Sequence, residues 1–241
     1  MIPVMGFYLS AWFSDLADQF YRNFIFEDRY RWLLQGLGNT LQMTLFAGLI
    51  GILIGLVLSL IRVLHKSGAK IGALNAFANG YITVIRGTPV MVQILIINFV
   101  IFAIVPVSKL LVASLAFGIN SGAYVAEIFR AGINSVDVGQ AEAARSLGLS
   151  YGQSMRLIVL PQAVKNVLPA LFNEFITLLK ETSIAGYIAF TDLTRAGNNI
   201  RTLTFSALPL LAVALIYLVI VMLMTFVLRR LERRLASSDR G

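Results

Sequence analysis

Apolar positions along this chain run in blocks too long for one face of a soluble helix. No Asp, Glu, Lys or Arg interrupts residues 37–61. A helix needs about 20 apolar residues to cross a hydrocarbon core, so this block predicts a span. Residues 89–105 form a second block, short for a crossing at about 1.5 Å per residue; its span is expected to begin before Arg86. Residues 110–129 form a third block. Residues 166–179 and onward form a fourth, interrupted by charge, and 203–228 an uncharged fifth. The pattern predicts an all-α integral membrane protein with five transmembrane helices over 37–241, preceded by an external segment, 1–36. The opening stretch lacks a basic region and its apolar run stops at Phe13. It therefore reads as an amphipathic segment on the membrane surface, not as a cleaved signal.

Composition agrees. Mean hydropathy is +0.79 and charged residues make up 13%, against roughly 25% in soluble domains. A net charge of +8 would suit a nucleic-acid partner in a soluble domain. Here the distribution of charge argues otherwise. Twelve Lys and Arg fall around 62–70, 130, 145–165 and 229–240, and six fall in 22–31, at 109 and in 195–201. Basic loops stay on the cytoplasmic side, which predicts an N-out, C-in topology. The chain has no cysteine, so disulfides and thiolate metal sites are excluded. The single histidine, His65, lies in a basic loop and reads as solvated.

One polar stretch stands apart: "DVGQAEAARSLGLSYGQSMRLIVLP", residues 137–161. Asp137 and Gln140 have capping-box spacing, and a helix is expected over 138–147. Ala141, Ala143 and Ala144 give it propensity. Leu147 ends it, and Gly148 fits a left-handed C-cap. Ser150 and Gln153 repeat the capping-box spacing, and Pro161 is expected to break or kink the second helix. A connecting loop does not need two capped helices. The stretch reads as a rigid cytoplasmic projection for another protein, or alternatively as an interfacial helical hairpin.

Polar residues inside the apolar blocks mark candidate substrate groups. Thr88 and Pro89 are expected as N-cap and first helical residue. With Arg86 beside them they make a positive corner suited to a carboxylate; alternatively, Arg86 only reaches for headgroups. Asn120, Tyr124 and Glu127 share a helix face. Glu127 is costly within a span unless it is paired, with Arg130 one turn on, or faces a ligand. Asn173, Thr177 and Lys180 share a face of the fourth span, and Glu174 and Glu181 lie on an adjoining one. Lys180 is placed to neutralise Glu181, and Asn98 is placed to face the same cavity. Gly118, Gly122 and Ala126, like Gly51 and Gly55, form small-residue ridges for close helix packing.

The stretch 137–161 also resembles a known family. Glu142, Ala143, Ala144, Gly148, Ile158, Leu160 and Pro161 keep the spacing of the EAA loop of permease subunits in ATP-binding-cassette importers. "IRGTPVMVQ", "GAYVAEIFRAGI" and "LLKETSIAGYI" are similar to the polar amino-acid branch. The resemblance implies a type I importer fold and a coupling helix (Asp137, Gln140, Glu142, Ala143, Ala144, Leu147, Gly148) seated on a separate ATPase. It also implies a second permease copy or paralogue, two ATPase subunits, an external solute-binding protein and a bacterial cytoplasmic-membrane location. The chain has no P-loop motif, so ATP and Mg are expected on the partner and no cofactor on this chain. The acids Glu127, Glu174 and Glu181 point to a basic amino acid as substrate, with glutamine as the alternative. A proton-coupled secondary transporter would also use such carboxylates. It would not need the double-capped loop.

Overall fold

The structure, a computed structural model, describes residues 15–237. The segment expected to lie on the membrane surface falls mostly outside the described residues. Among the described residues all regular structure is helical. After a helical stretch at 15–20 and irregular turns, the helices are α1 (Tyr30–Lys66), α2 (Gly72–Arg86), α3 (Val90–Ile96), α4 (Lys109–Asn134), α5 (Val138–Ser146), α6 (Tyr151–Ser154), α7 (Leu160–Glu181), α8 (Leu193–Thr204) and α9 (Leu208–Ser237). Four stretches are long and apolar enough to cross a membrane: α1, α4, the run Tyr151–Ile188 and α9. A fifth arises if the bent pair α2–α3 is taken as one span.

The expected second span is not one straight helix. α2 and the run Val90–Ile101 meet at 107°. Pro89 cannot donate to a continuing helix and disfavours helical geometry in Thr88, so the chain turns there. The N-cap of α3 is Pro89, not Thr88. The Thr88 hydroxyl instead donates to the Val84 carbonyl, 2.9 Å, at the end of α2. Gly87 is needed for close approach, because a Cβ there would lie 2.8 Å from the Thr83 carbonyl oxygen.

α1 and α4 pack along their glycines. A Cβ on Gly51 would lie 3.0 Å from Ser121 Cβ, and one on Gly55 would run into Val125 and 2.9 Å from the Ala126 nitrogen. From the other side, Gly118 and Gly122 sit against Ile50 and Ile54. The paired numbers rise together, so the two helices run in the same direction. The chain must therefore return along the bundle between Lys66 and Lys109, and α2, the corner and α3 make that return. α7 runs the opposite way to α4, since Ser121 meets Glu174 while Ser135 meets Asn166. α8 packs on the start of α1, where Thr40 Oγ1 accepts from the Leu193 amide, 3.0 Å. Buried Asp192 caps α8 through the Thr194 and Arg195 amides, and its burial pushes its carboxyl above the ordinary range.

Two more expectations change. Of the two outcomes expected at Pro161, the helix does not end there: a π turn at Met155–Val159 interrupts the α geometry before it and the helical run continues to Ile188. The proline ring would clash with the carbonyl four residues back, and the wider π turn relieves this. The last span begins at Leu208, not near 203, because Leu203 belongs to α8 and Phe205 takes a left-handed conformation, φ 53°.

Gly55→Val is expected to destabilise the chain by about 1–3 kcal/mol, the usual effect of overpacking. Gly38→Ala is expected to be neutral, since nothing lies within 4 Å of the added carbon. Thermal unfolding of both variants in detergent checks the pair.

Candidate transport and coupling sites

The corner between α2 and α3 is tied together by Gln93. Its amide nitrogen donates to the Ile85 carbonyl at 2.8 Å and to Thr88 Oγ1 at 2.7 Å, and its oxygen accepts from Asn120 Nδ2 of α4 at 3.0 Å. Both side chains are buried. Gln93 was legible only as the last residue of "IRGTPVMVQ"; its role depends on the bend.

About two turns further along α4, three arginines converge on one carboxylate. Glu127 accepts from Arg62 of α1. Its other oxygen takes Arg130 Nε at 2.8 Å and Arg130 Nη2 at 2.6 Å, with Arg86 of α2 at 3.9 Å. Arg86 also lies over the Tyr124 ring, 5.2 Å from its centroid. The anticipated Arg130 pair is present; Arg62 is an addition. The hub carries three positive charges against one negative, so Glu127 is answered by arginines and two cationic charges remain unbalanced.

The other acids have no such partners. Half-buried Glu174 accepts from Ser121 Oγ at 2.8 Å. Lys180 lies near enough to Glu181 for its charge to act on the carboxylate, but the two make no close ion pair among the described residues. Asn173 and Lys180 lie exposed on α7. Asn98 departs from expectation: it is buried and accepts from Lys109 Nζ, 2.7 Å, at the start of α4. Glu127 lies 18 residues along that helix, about 27 Å at 1.5 Å per residue. Thus Arg86, Thr88, Asn120, Tyr124 and Glu127 gather at the corner, Glu174 joins α4 to α7, and Asn98 stands apart.

The polar loop folds as a capped hairpin. Asp137 Oδ1 accepts from the Gly139 amide at 2.7 Å. The Asp137–Gln140 capping box is not completed, since the cap bond goes to Gly139. At the other end the Gly148 amide donates to Arg145 and the Leu149 amide to Ala144. With Gly148 at φ +87°, this is a Schellman C-cap. Ser150 and Gln153 complete their reciprocal box. Ala144 faces inward, and Ser154 Oγ donates to the Ala141 carbonyl, holding α5 against the π turn. Glu142 and Ala143 face outward, and Val138 and Leu147 are 70% and 85% exposed. α5 thus presents apolar and acidic groups away from its own chain.

Residues 67–237 match the family described as binding-protein-dependent transport system inner membrane component. The chain is 40% identical over 213 residues to the arginine transport system permease protein ArtQ of Bacillus subtilis, covering 86% of this chain and 94% of that one. It is 41% identical over 165 residues to the glutamine transport system permease protein GlnP of Escherichia coli K12, covering 67% and 75%. Among solved structures, an amino acid ABC transporter crystallised with histidines aligns at TM-score 0.80 and 42% identity, over 88% of this chain and 98% of that one. The MetNI methionine ABC transporter, in an inward-facing conformation, shares the fold at TM-score 0.71 and 22% identity, covering 84% and 95%. With the family match extending over more than half its length, this multi-pass membrane chain belongs to the permease family of binding-protein-dependent ATP-binding-cassette transporters, in the polar amino-acid branch, as a transport subunit and not an enzyme.

Proposed function

We propose that the chain is the permease of an ATP-driven importer for amino acids with a cationic side chain. It spans the bacterial cytoplasmic membrane five times, N-out and C-in. Two permease copies, or this chain and a paralogue, enclose the path. Two ATPase subunits, carrying ATP and Mg, seat on α5, and an external solute-binding protein delivers substrate. The parallel course of α1 and α4 supports the fifth crossing.

The observation that carries the substrate reading is the inequality among the acids. Glu127 is surrounded by arginines, while Glu174 accepts from Ser121 and Glu181 has the charge of Lys180 nearby, neither making a close ion pair among the described residues. A carboxylate at membrane depth is costly without a partner, and a cationic substrate side chain would offset that cost. The surplus positive charge at Arg86 suits the α-carboxylate. Exposed Asn173 and Lys180 on α7 would line the path between copies. The relatives named for glutamine favour a second reading, in which Glu174 accepts a hydrogen bond from a substrate amide.

Topology is tested with single cysteines, since the chain has none of its own. Cysteine at Ser67 or Ser146 is expected to label only from the cytoplasm, and at Thr191 only from outside. Outside labelling of position 146 in intact cells would reverse the orientation.

Gly148→Val forces a branched side chain into a left-handed corner, at a cost of roughly 1–2 kcal/mol or more. Insertion is expected to stay normal while uptake falls and substrate no longer stimulates the partner ATPase. Wild-type transport by this variant would remove the coupling role of α5.

Glu174→Gln is expected to weaken arginine and lysine uptake by about tenfold, roughly 1.4 kcal/mol, and glutamine uptake far less. Glu127→Gln is expected to lower all three together and to reduce thermal stability, because it disturbs the arginine hub. Competition uptake in proteoliposomes separates the cases; equal loss for all substrates in Glu174→Gln would sink the cationic reading.

A further inference from the structure

Arg62 and Arg130 have a second environment besides Glu127. With Lys66, Asn75, Asn79 and Asn134 they line a cavity of about 340 Å³ where α1 and α4 end and α2 begins. Its lining holds these three cations and no acid. Glu127 answers Arg62 and Arg130 jointly, and Lys66 makes no ion pair among the described residues. Positive charge is therefore left over at this point.

A larger groove of about 690 Å³ adjoins the cavity and shares Ser59, Val63, Ile133, Tyr151 and Met155 with it. Its lining is almost wholly apolar, with Arg156 the one charged member. Along α1 it runs from Leu56 to Ser67, about 16 Å at 1.5 Å per residue. Leu56, Val57, Leu60 and Leu64 on this wall are exposed on the chain's surface. The cavity sits where the spans meet the polar loop, and the groove leads from it into the apolar belt.

The geometry points to a binding site for one anionic phospholipid, with its phosphodiester among Lys66, Arg62 and Arg130 and an acyl chain in the groove. A free anion has no use for the groove, and a neutral lipid none for the three cations. Basic pockets between membrane helices on the cytoplasmic side suit anionic headgroups. Because Arg62 and Arg130 also hold Glu127, a phosphate here would share their charge and steady the junction of α1, α2 and α4. This inference does not rest on the identity of the transported amino acid.

The full-length chain in nanodiscs of equal phosphatidylglycerol and phosphatidylcholine, read by native mass spectrometry, tests it. Wild type is expected to retain phosphatidylglycerol over phosphatidylcholine. Lys66→Met, at an exposed position, is expected to lower that preference about fivefold, the effect of one cation at a lipid surface. Asn79→Leu is expected to lower it as well, and Leu60→Trp to lower retention of both lipids by filling the groove. Millimolar inorganic phosphate is expected not to displace the lipid. Equal retention of the two lipids by wild type, or an unchanged preference in both Lys66→Met and Asn79→Leu, overturns the proposal. Displacement by inorganic phosphate would make this a free-anion site and also overturn it. Disulfide formation between Leu60→Cys copies in membranes, with no lipid retained, would assign the groove to a second copy of the chain and overturn it too.

Discussion

The close approach of α1 and α4 is the constraint on which the other arrangements depend. In a bilayer, lipid is as apolar as leucine, so helix association rests on van der Waals contact and polar pairing. Gly51 and Gly55 on one helix, and Gly118 and Gly122 on the other, let Ile50, Ile54, Ser121 and Val125 interdigitate. Because the register rises on both helices, the intervening segment has to travel back. That return is made by two short helices and a corner. The corner exposes carbonyls at the end of α2 that no continuing helix satisfies, and Gln93 and Thr88 supply donors to them. Buried backbone groups left without such partners would cost several kcal/mol each in a nonaqueous setting, about the price quoted for transfer into hydrocarbon.

The same register brings Arg62 to Glu127. One carboxylate joins α1, α2 and α4 at the level where the spans approach the basic loops. A lone acid there would be disfavoured by desolvation, and a lone cluster of arginines by mutual repulsion. Together they form a partly neutralised knot whose residual charge is positive. Such a knot resists separation of the three helices.

Much of this was legible in the sequence where the signal was local. The apolar blocks located four continuous spans. The spacing Ser150 to Gln153 and the glycine at 148 located the loop's caps, and the glycine ridges located the helix contact. What escaped was set by contacts distant in sequence. Arg62 lies 65 residues from Glu127, and no local pattern links them. Asn98 appeared free to face a cavity until Lys109 was brought beside it. Thr88 had the chemistry of an N-cap, but the 107° corner turned its hydroxyl toward the helix behind it. Pro161 marked a break or kink, but its form, a π turn at Met155–Val159 with the helical run continuing, was not written in the proline itself.

That π turn bears on how motion could cross the membrane. α5 is not simply tethered by a loop. It packs through Ala144 and the Ser154–Ala141 hydrogen bond onto the segment Tyr151–Val159. That segment continues without interruption into α7, which carries Asn173, Glu174, Lys180 and Glu181. The outward-facing α5 is therefore joined to one helix that carries these polar residues, Glu174 and Glu181 half-buried and Asn173 and Lys180 exposed. π turns are rare, occur mostly as single turns inside α-helices and are frequent at functional positions. Placed between lever and span, this one is the natural point of bending. The capped turn at Gly148 and Ser150, the π turn at Met155–Val159 and the polar contact from Ser135 to Asn166 together join the loop to α7 through a short, continuous set of contacts.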